Sequence, residues 1–304
     1  MIYKVNVRCF TFNQSKYITD TLEGFCIQKT DFPYICSIVD DASTDGAQNL
    51  IRLFIENNFE IQSIQSEETD YANIIFARHV TNRNCFFAAV LLKENHYLNS
   101  AKKFDYISQW RAKCDYEALC EGDDYWIDCD KLQEQYNFLE YHKEFCLCYS
   151  DFLTVNENKD IVKNRYTERV CYSGYVFDNL LLANFIQTVT VFCRMRDLLI
   201  AEQMVTNRGA RYDYGFYLEM SLMGKFYYIN KKMSCYRVLS ESASHSKSVK
   251  NEINFALECN RIKQIYYSLK YEGRSKLYLY IIRLKIITKI TLKFYLKNFL
   301  SFKH

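Results

Sequence analysis

The sequence predicts an α/β fold, with a mainly parallel central sheet flanked by helices and a helical extension at its C-terminal end. Three observations carry that expectation. Short apolar runs end in polar or acidic residues and alternate with stretches of helical periodicity, in the order strand–helix–strand–helix. The 304 residues are 49% hydrophobic and 25% charged, enough to build a core in one large domain with appendages or in two domains. With 8 glycines and one proline in the chain, the two glycines that fall inside acidic turns, Gly46 and Gly122, mark those turns out.

The elements follow in order. Residues 3–9 alternate apolar and polar side chains, as a half-buried strand does, and Tyr17, Ile18, Leu22 and Phe25 then recur at helical spacing. The run ICSIV at 35–39 reads as a buried parallel strand ending in Asp40 and Asp41. Leu50, Ile51, Phe54 and Ile55 give a second amphipathic helix. CFFAAVLL at 85–92 is a further strand, 98–113 a helix, YEALC at 116–120 a strand and 132–139 a helix. Strands are expected at 145–152, 188–194 and 226–229, with a helix starting near 212. In open parallel sheets ligands bind beyond the carboxyl ends of the strands. That places Thr11, Phe12, Asn13, Asp41 and the acidic turn EGDD at 121–124 on one rim.

Charge and cysteine narrow the functional classes. Residues 261–304 hold 11 Lys and Arg against one acid, Glu272, which leaves 28 basic and 35 acidic side chains in the rest. An acidic body without a recognition motif argues against nucleic acid as a partner. The 13 cysteines include no CxxC pair, and the first residues lack the apolar core of a leader, so free thiols in a reducing cytoplasm are expected and zinc is not. Asp41 to Gly46 matches the opening of a calcium loop, but the twelfth position is Arg52 and a strand precedes it, which rules that loop out.

Clustered carboxylates repel one another unless a cation sits among them. All-oxygen ligands suit Mg2+, Mn2+ or Ca2+, and a few protein carboxylates leave positions for a substrate's phosphates. The bland reading of EGDD is a solvated turn capping the next helix; Asp40 and Asp41 on the same rim favour a metal bridge to a diphosphate.

TFN at 11–13, VDDASTDG at 39–46 and EGDDYW at 121–126 resemble family-2 glycosyltransferases of the GT-A fold, the enzymes of bacterial surface-polysaccharide synthesis. The likeness continues through DKLQEQ at 130–135 and from Asp213 to Arg237, and covers roughly residues 4 to 246. It implies a Rossmann-like GT-A domain over 1–250, with a nucleotide-sugar-binding half (1–130) and an acceptor half (131–250), ahead of a basic tail at 251–304. It also implies a metal-dependent, inverting transfer of a sugar, in the first instance from a UDP-linked donor, with Mn2+ or Mg2+ as cofactor. Residue by residue, Thr11, Asp41 and Asn95 match nucleotide-binding positions, with Phe12 and Asn13 in the same loop. Asp123 and Asp124 match the DXD-type metal motif, Asp124 as direct ligand and Asp123 also facing the donor. Asp213 matches the catalytic base, and His245 the place of a further metal-site ligand. The chain departs from the family at Phe10, Cys114 and Cys129, where proline, glycine and proline are usual, and its stretch 67–93 is long for the family core, which suggests an insertion near the donor site.

In the tail, Lys285, Lys289, Lys293 and Lys297 recur every four residues among Leu, Ile, Phe and Tyr. That stripe is too charged to span a bilayer and fits an interfacial helix on anionic headgroups; packing on the enzyme's own surface or at a homodimer contact is the alternative. The expectation is a cytoplasmic glycosyltransferase, peripheral at the inner face of the cell membrane, acting on a glycan or lipid-linked acceptor. The rivals are a catalytically inactive sugar-nucleotide-binding protein of the same fold, a nucleotidyltransferase, and a membrane-docking scaffold.

Overall fold

The computed structural model describes residues 3–96, 101–164, 166–210, 213–239 and 249–271, together with Leu284 and Thr288. Among them ten strands form one sheet: β1 (Val5–Thr11), β2 (Tyr34–Asp40), β3 (Gln65–Glu68), β4 (Ala72–Arg78), β5 (Cys85–Leu92), β6 (Tyr116–Leu119), β7 (Tyr125–Trp126), β8 (Phe145–Val155), β9 (Val191–Arg194) and β10 (Lys225–Arg237). Their spatial order is β3-β4-β5-β2-β1-β6-β9-β8-β10-β7. The centre β5-β2-β1-β6 is parallel, β9 runs antiparallel between β6 and β8, and β8 and β10 are again parallel. Among the described residues eight helices pack on it: α1 (Ile18–Cys26), α2 (Ala47–Asn58), α3 (Ala101–Arg111), α4 (Lys131–Tyr141), α5 (Phe177–Leu182), α6 (Met195–Arg208), α7 (Asp213–Met223) and α8 (Val249–Lys270).

Every residue of β2 and β5 is buried, because helices cover both faces. One face buries Leu22 and Phe25 of α1, Ile51 and Ile55 of α2 and Leu132 and Leu139 of α4. The other buries Ile107 and Trp110 of α3, Leu198 of α6, Leu218 and Met220 of α7 and Ile262 and Tyr266 of α8. Each such side chain contributes roughly 2 kcal/mol of transfer free energy. Polar residues interrupt the second face under the rim. Glu117 of β6 receives Asn6 Nδ2 at 3.0 Å and Arg111 Nε at 2.7 Å, and Arg8 lies 3.6 Å from it. Glu202 of α6 pairs with Arg8 at 3.3 Å and Arg111 at 2.8 Å. Two buried cations thus face two carboxylates, which is how such charges are tolerated away from water.

The structure differs from the sequence-based expectations at several elements. Residues 188–190 form a short 3-10 turn before β9, not strand, because Thr190 Oγ1 and its amide both turn back to the Gln187 carbonyl. β10 continues for 13 residues, well beyond 226–229. Residues 65–78, unassigned from sequence, make the β3–β4 hairpin at the sheet edge. Helices α5 and α6, unassigned from sequence, pack on the second core face through Phe177 and Leu180 of α5 and Leu198 and Ala201 of α6. The start of the basic extension is part of this body: α8 docks on α7 through Tyr266, which donates to Glu219 Oε2 at 2.8 Å beside Arg208 at 2.9 Å. The stripe at 277–304 lies outside the described residues apart from Leu284 and Thr288.

Candidate active site

The carboxyl ends of β1, β2 and β5 are level: Thr11 pairs with Asp40, and Asp40 with Leu91. The loops leaving β1 and β2 are tied together. The Asn13 amide donates to Ser43 Oγ and Asn13 Oδ1 accepts from the Thr44 amide, both at 2.8 Å, while the Ser15 amide donates to Asp45 at 2.8 Å. Asn13 and Ala42 hold φ of 52° and 61°, left-handed conformations that such cross-links stabilise. Phe12 is left 46% exposed at the loop tip. Asp40 is fully buried, bonded to the Ser43 amide and Gln48, and burial pushes its carboxyl up.

Asp41 is buried beside it, its amide donating to the Thr11 carbonyl at 2.9 Å. One carboxylate oxygen accepts the His96 amide at 2.7 Å and the other meets Lys103 Nζ at 3.0 Å. Asn95 Nδ2 donates to the Asp41 carbonyl at 2.9 Å. The segment after β5 therefore closes over Asp41.

The acidic turn is clamped from three sides. The Gly122 amide donates to the Phe10 carbonyl at 3.0 Å, and a side chain at 122 would run into Thr11 at 2.5 Å and Gln14 at 2.6 Å, so this position needs glycine. The Thr21 hydroxyl of α1 reaches the carbonyls of Gly122 and Asp124 at 3.0 and 2.6 Å. From β10, the Arg237 amide donates to Asp124 Oδ1 at 2.7 Å, its guanidinium caps the Asp123 carbonyl, and it pairs with Asp20 at 2.8 Å. Trp126 is core, its indole N–H bonded to the Val189 carbonyl at 3.1 Å.

Burial, and then the charge of Asp123, holds the Asp124 carboxyl well above the usual range; burial raises Asp123 too. Glu121 is pushed up to about 8 by burial, with Asp213 adding to the shift and Arg8 opposing it. Asp213, at the start of α7, accepts Thr188 Oγ1 at 2.7 Å, and Tyr217 Oη lies 3.3 Å from the same hydroxyl. Glu121, Asp123, Asp213 and Thr188 line one end of a cleft of about 780 Å³. Tyr166, Tyr172 and Tyr236 also line it, and it runs on to Phe255 and Lys263 of α8.

Of the residues expected from sequence, Thr11, Phe12, Asn13, Asp41 and Asn95 gather at the ends of β1, β2 and β5. Asp123 and Asp213 share the cleft, and Asp124 lies behind Asp123 against β10. His245 is outside the described residues. Sequence reasoning passed over Glu121 as an individual group, and also Gln14, Lys103 and the pairing of Thr188 with Asp213. Glu121 was visible inside the motif; Lys103 and Thr188 acquire their roles from contacts 62 and 25 positions away, which no local pattern encodes. Arg237 is a structural clamp with no exposed side-chain surface. Asp151 pairs with Arg169 at 2.5 Å.

No protein-family model matches the chain. Uncharacterized proteins of Mycobacterium tuberculosis and Mycobacterium bovis are each 32% identical to it over 192 residues, 62% of this chain and 46% of theirs. The chain thus spans about half the length of the curated relatives it matches. Among solved structures, the TarS 1-349 fragment of S. aureus in complex with UDP-GlcNAc superposes with a TM-score of 0.57 at 14% identity, over 95% of this chain and 71% of that one. The mannosyltransferase PcManGT of Pyrobaculum calidifontis, in complex with GDP-Man and Mn2+, gives 0.52 at 13% identity, over 96% and 74%. With its parallel centre, its antiparallel β9 and its two helical faces, the chain has the GT-A-type fold of glycosyltransferases.

Proposed function

We propose that the chain is a metal-dependent, inverting glycosyltransferase that moves a sugar from a nucleoside-diphosphate donor, UDP-linked in the first instance, to a glycan or lipid-linked acceptor. One observation carries the reading: the rim that holds Asp41 also holds the acidic turn, and that turn shares a cleft with Asp213. The nucleotide-sugars and Mn2+ bound by TarS and PcManGT support the same chemistry.

Each resident group then has a task. Asp41 accepts the imide N–H of the base, using the lone pairs left free by His96 and Lys103. Thr11, Phe12, Asn13 and Asn95 shape the nucleotide side. The residues fit a divalent cation: the donors are carboxylate oxygens, and their crowding in a buried turn is relieved by positive charge. Asp124 and Asp123 would hold it, with His245 a further candidate, and the chemistry such a Mn2+ or Mg2+ would supply is positive charge against the diphosphate of the donor. Asp213 takes the proton of the acceptor hydroxyl as that oxygen bonds to the anomeric carbon, and the diphosphate leaves with the electron pair of the broken C–O bond. Thr188 orients Asp213 by occupying one of its oxygens.

The test is a thermal-shift panel of nucleotide-sugars with and without manganese. The reading expects stabilisation by a UDP-sugar that depends on the metal, followed by turnover; a flat response across the panel overturns it, and binding without turnover returns the inactive relative. No helix among the described residues is long and apolar enough to cross a membrane. A peripheral association at the inner membrane face through 277–304 belongs to the same proposal, and equal sedimentation on anionic vesicles with and without that segment removes it.

A further inference from the structure

The β3–β4 hairpin adds two strands outside β5, in a register that pairs Ala72 with Leu92. Its turn, closed by the Thr69 amide on the Ala72 carbonyl at 2.9 Å, therefore stands on the same rim as Asp40 and Asp41. Tyr71 at the tip is 39% exposed, and its carbonyl accepts the Lys93 amide at 2.9 Å. Its ring lies flat on Tyr106 of α3, with centroids 4.7 Å apart and planes 14° apart. Tyr106 Oη is 3.1 Å from His96 Nε2, and His96 Nδ1 is 2.8 Å from the Glu94 carbonyl. A carbonyl only accepts, so Nδ1 carries the proton and Nε2 takes the tyrosine's hydrogen bond. The His96 amide in turn donates to Asp41 Oδ1 at 2.7 Å, and α3 also supplies Lys103 to the other oxygen.

We propose that the hairpin tip is a positioning element for the nucleobase site: Tyr71, through Tyr106 and His96, fixes the segment whose amide grips Asp41. This rests on the nucleotide-sugar reading of the site. The hairpin then sets affinity for the base while leaving the pyrophosphate contacts alone, because its contacts run to Asp41 and not to the acidic turn. The ring of Tyr71 packs over that of Tyr106 and limits its motion, and a tyrosine hydroxyl with one acceptor fixes the imidazole plane, which restricts the orientation of the backbone at 96.

The experiment is calorimetric titration of the full chain, in Mn2+, with UDP and separately with inorganic pyrophosphate. Tyr106→Phe, which keeps the ring stack and loses the bond to His96, weakens UDP about five-fold, the equivalent of one net hydrogen bond. Tyr71→Ala weakens it by at least as much, and Tyr71→Phe, which keeps the stack, binds as the unaltered protein does. Pyrophosphate affinity stays constant throughout. UDP affinities unchanged in Tyr106→Phe and Tyr71→Ala overturn the inference while leaving the proposed activity standing. So does pyrophosphate weakening in parallel, which marks a general disturbance of the rim. A parent protein that binds no nucleoside diphosphate overturns both.

Discussion

Arg237 donates its backbone amide to the Asp124 carboxylate at 2.7 Å, so the last residue of β10 holds an acid 113 positions earlier in the chain. Its guanidinium, fully buried, pairs with Asp20 and stacks over Tyr17 and Tyr125. Arg237→Ala leaves the amide but empties that space. We expect a loss of about 2 kcal/mol, below the roughly 3–5 kcal/mol of a fully buried pair because Lys159 still reaches Asp20 at 2.7 Å. Urea unfolding measures it. Asp124→Ala, in contrast, should leave a folded protein whose Mn2+-dependent UDP binding is gone; unchanged binding in a calorimetric titration removes Asp124 from the metal site.

Gly24 lets α1 lie directly on β7. A Cβ there would stand 2.8 Å from the Trp126 nitrogen and 3.0 Å from its oxygen, both backbone atoms that cannot rotate away. Gly24→Ala should therefore destabilise the fold by about 2 kcal/mol through overpacking. Because the acidic turn runs straight into Trp126, donor binding should weaken too. A melting temperature equal to that of the parent protein counts against so tight a contact.

Asp213→Asn keeps the shape of the side chain and removes its basicity. Transfer should fall by about 10³-fold, within the range for a lost general base, with donor affinity unchanged. Thr188→Val removes the hydrogen bond to Asp213 and should lower kcat about five-fold. Steady-state rates with a fixed acceptor decide both, and near-normal turnover in Asp213→Asn rejects it as the base.

Lys131 is fully buried at the start of α4, bonded to Gln135 and over the Trp126 ring, and burial lowers its pKa to about 8. Between that value and the ordinary 10.5 the unfolded chain binds more protons than the folded one, so this lysine's contribution to stability rises with pH across that window. Below it the folded state carries the full penalty of a buried ammonium, roughly 3 kcal/mol. Lys131→Met should be more stable than the parent protein at pH 7, by about 1–3 kcal/mol once the lost bond to Gln135 is allowed for. That advantage should shrink by pH 9.5. The buried thiols of Cys9 and Cys36, raised by burial, act in the opposite sense but are common to both proteins. Denaturant unfolding at the two pH values gives the comparison, and a gap that does not change with pH refutes the assignment.

Local chemistry in the sequence determined the strands around 35–39, 85–92 and 116–119, the acidic turns with their glycines, and the candidate acids Asp41, Asp123 and Asp124, whereas Asp213 entered only through the resemblance to GT-A glycosyltransferases. Apolar runs, helical periods and turn residues are all written within a few positions of one another. Tertiary structure alone decided what those acids face. Lys103 and the His96 amide on Asp41, Arg237 on Asp124, Thr188 on Asp213 and the raised Glu121 all depend on groups brought together from distant segments. So does the placing of β9 between β6 and β8, and of the β3–β4 hairpin beside Asp41, because strand pairing and burial are settled by hydrogen bonds and packing across the whole sheet.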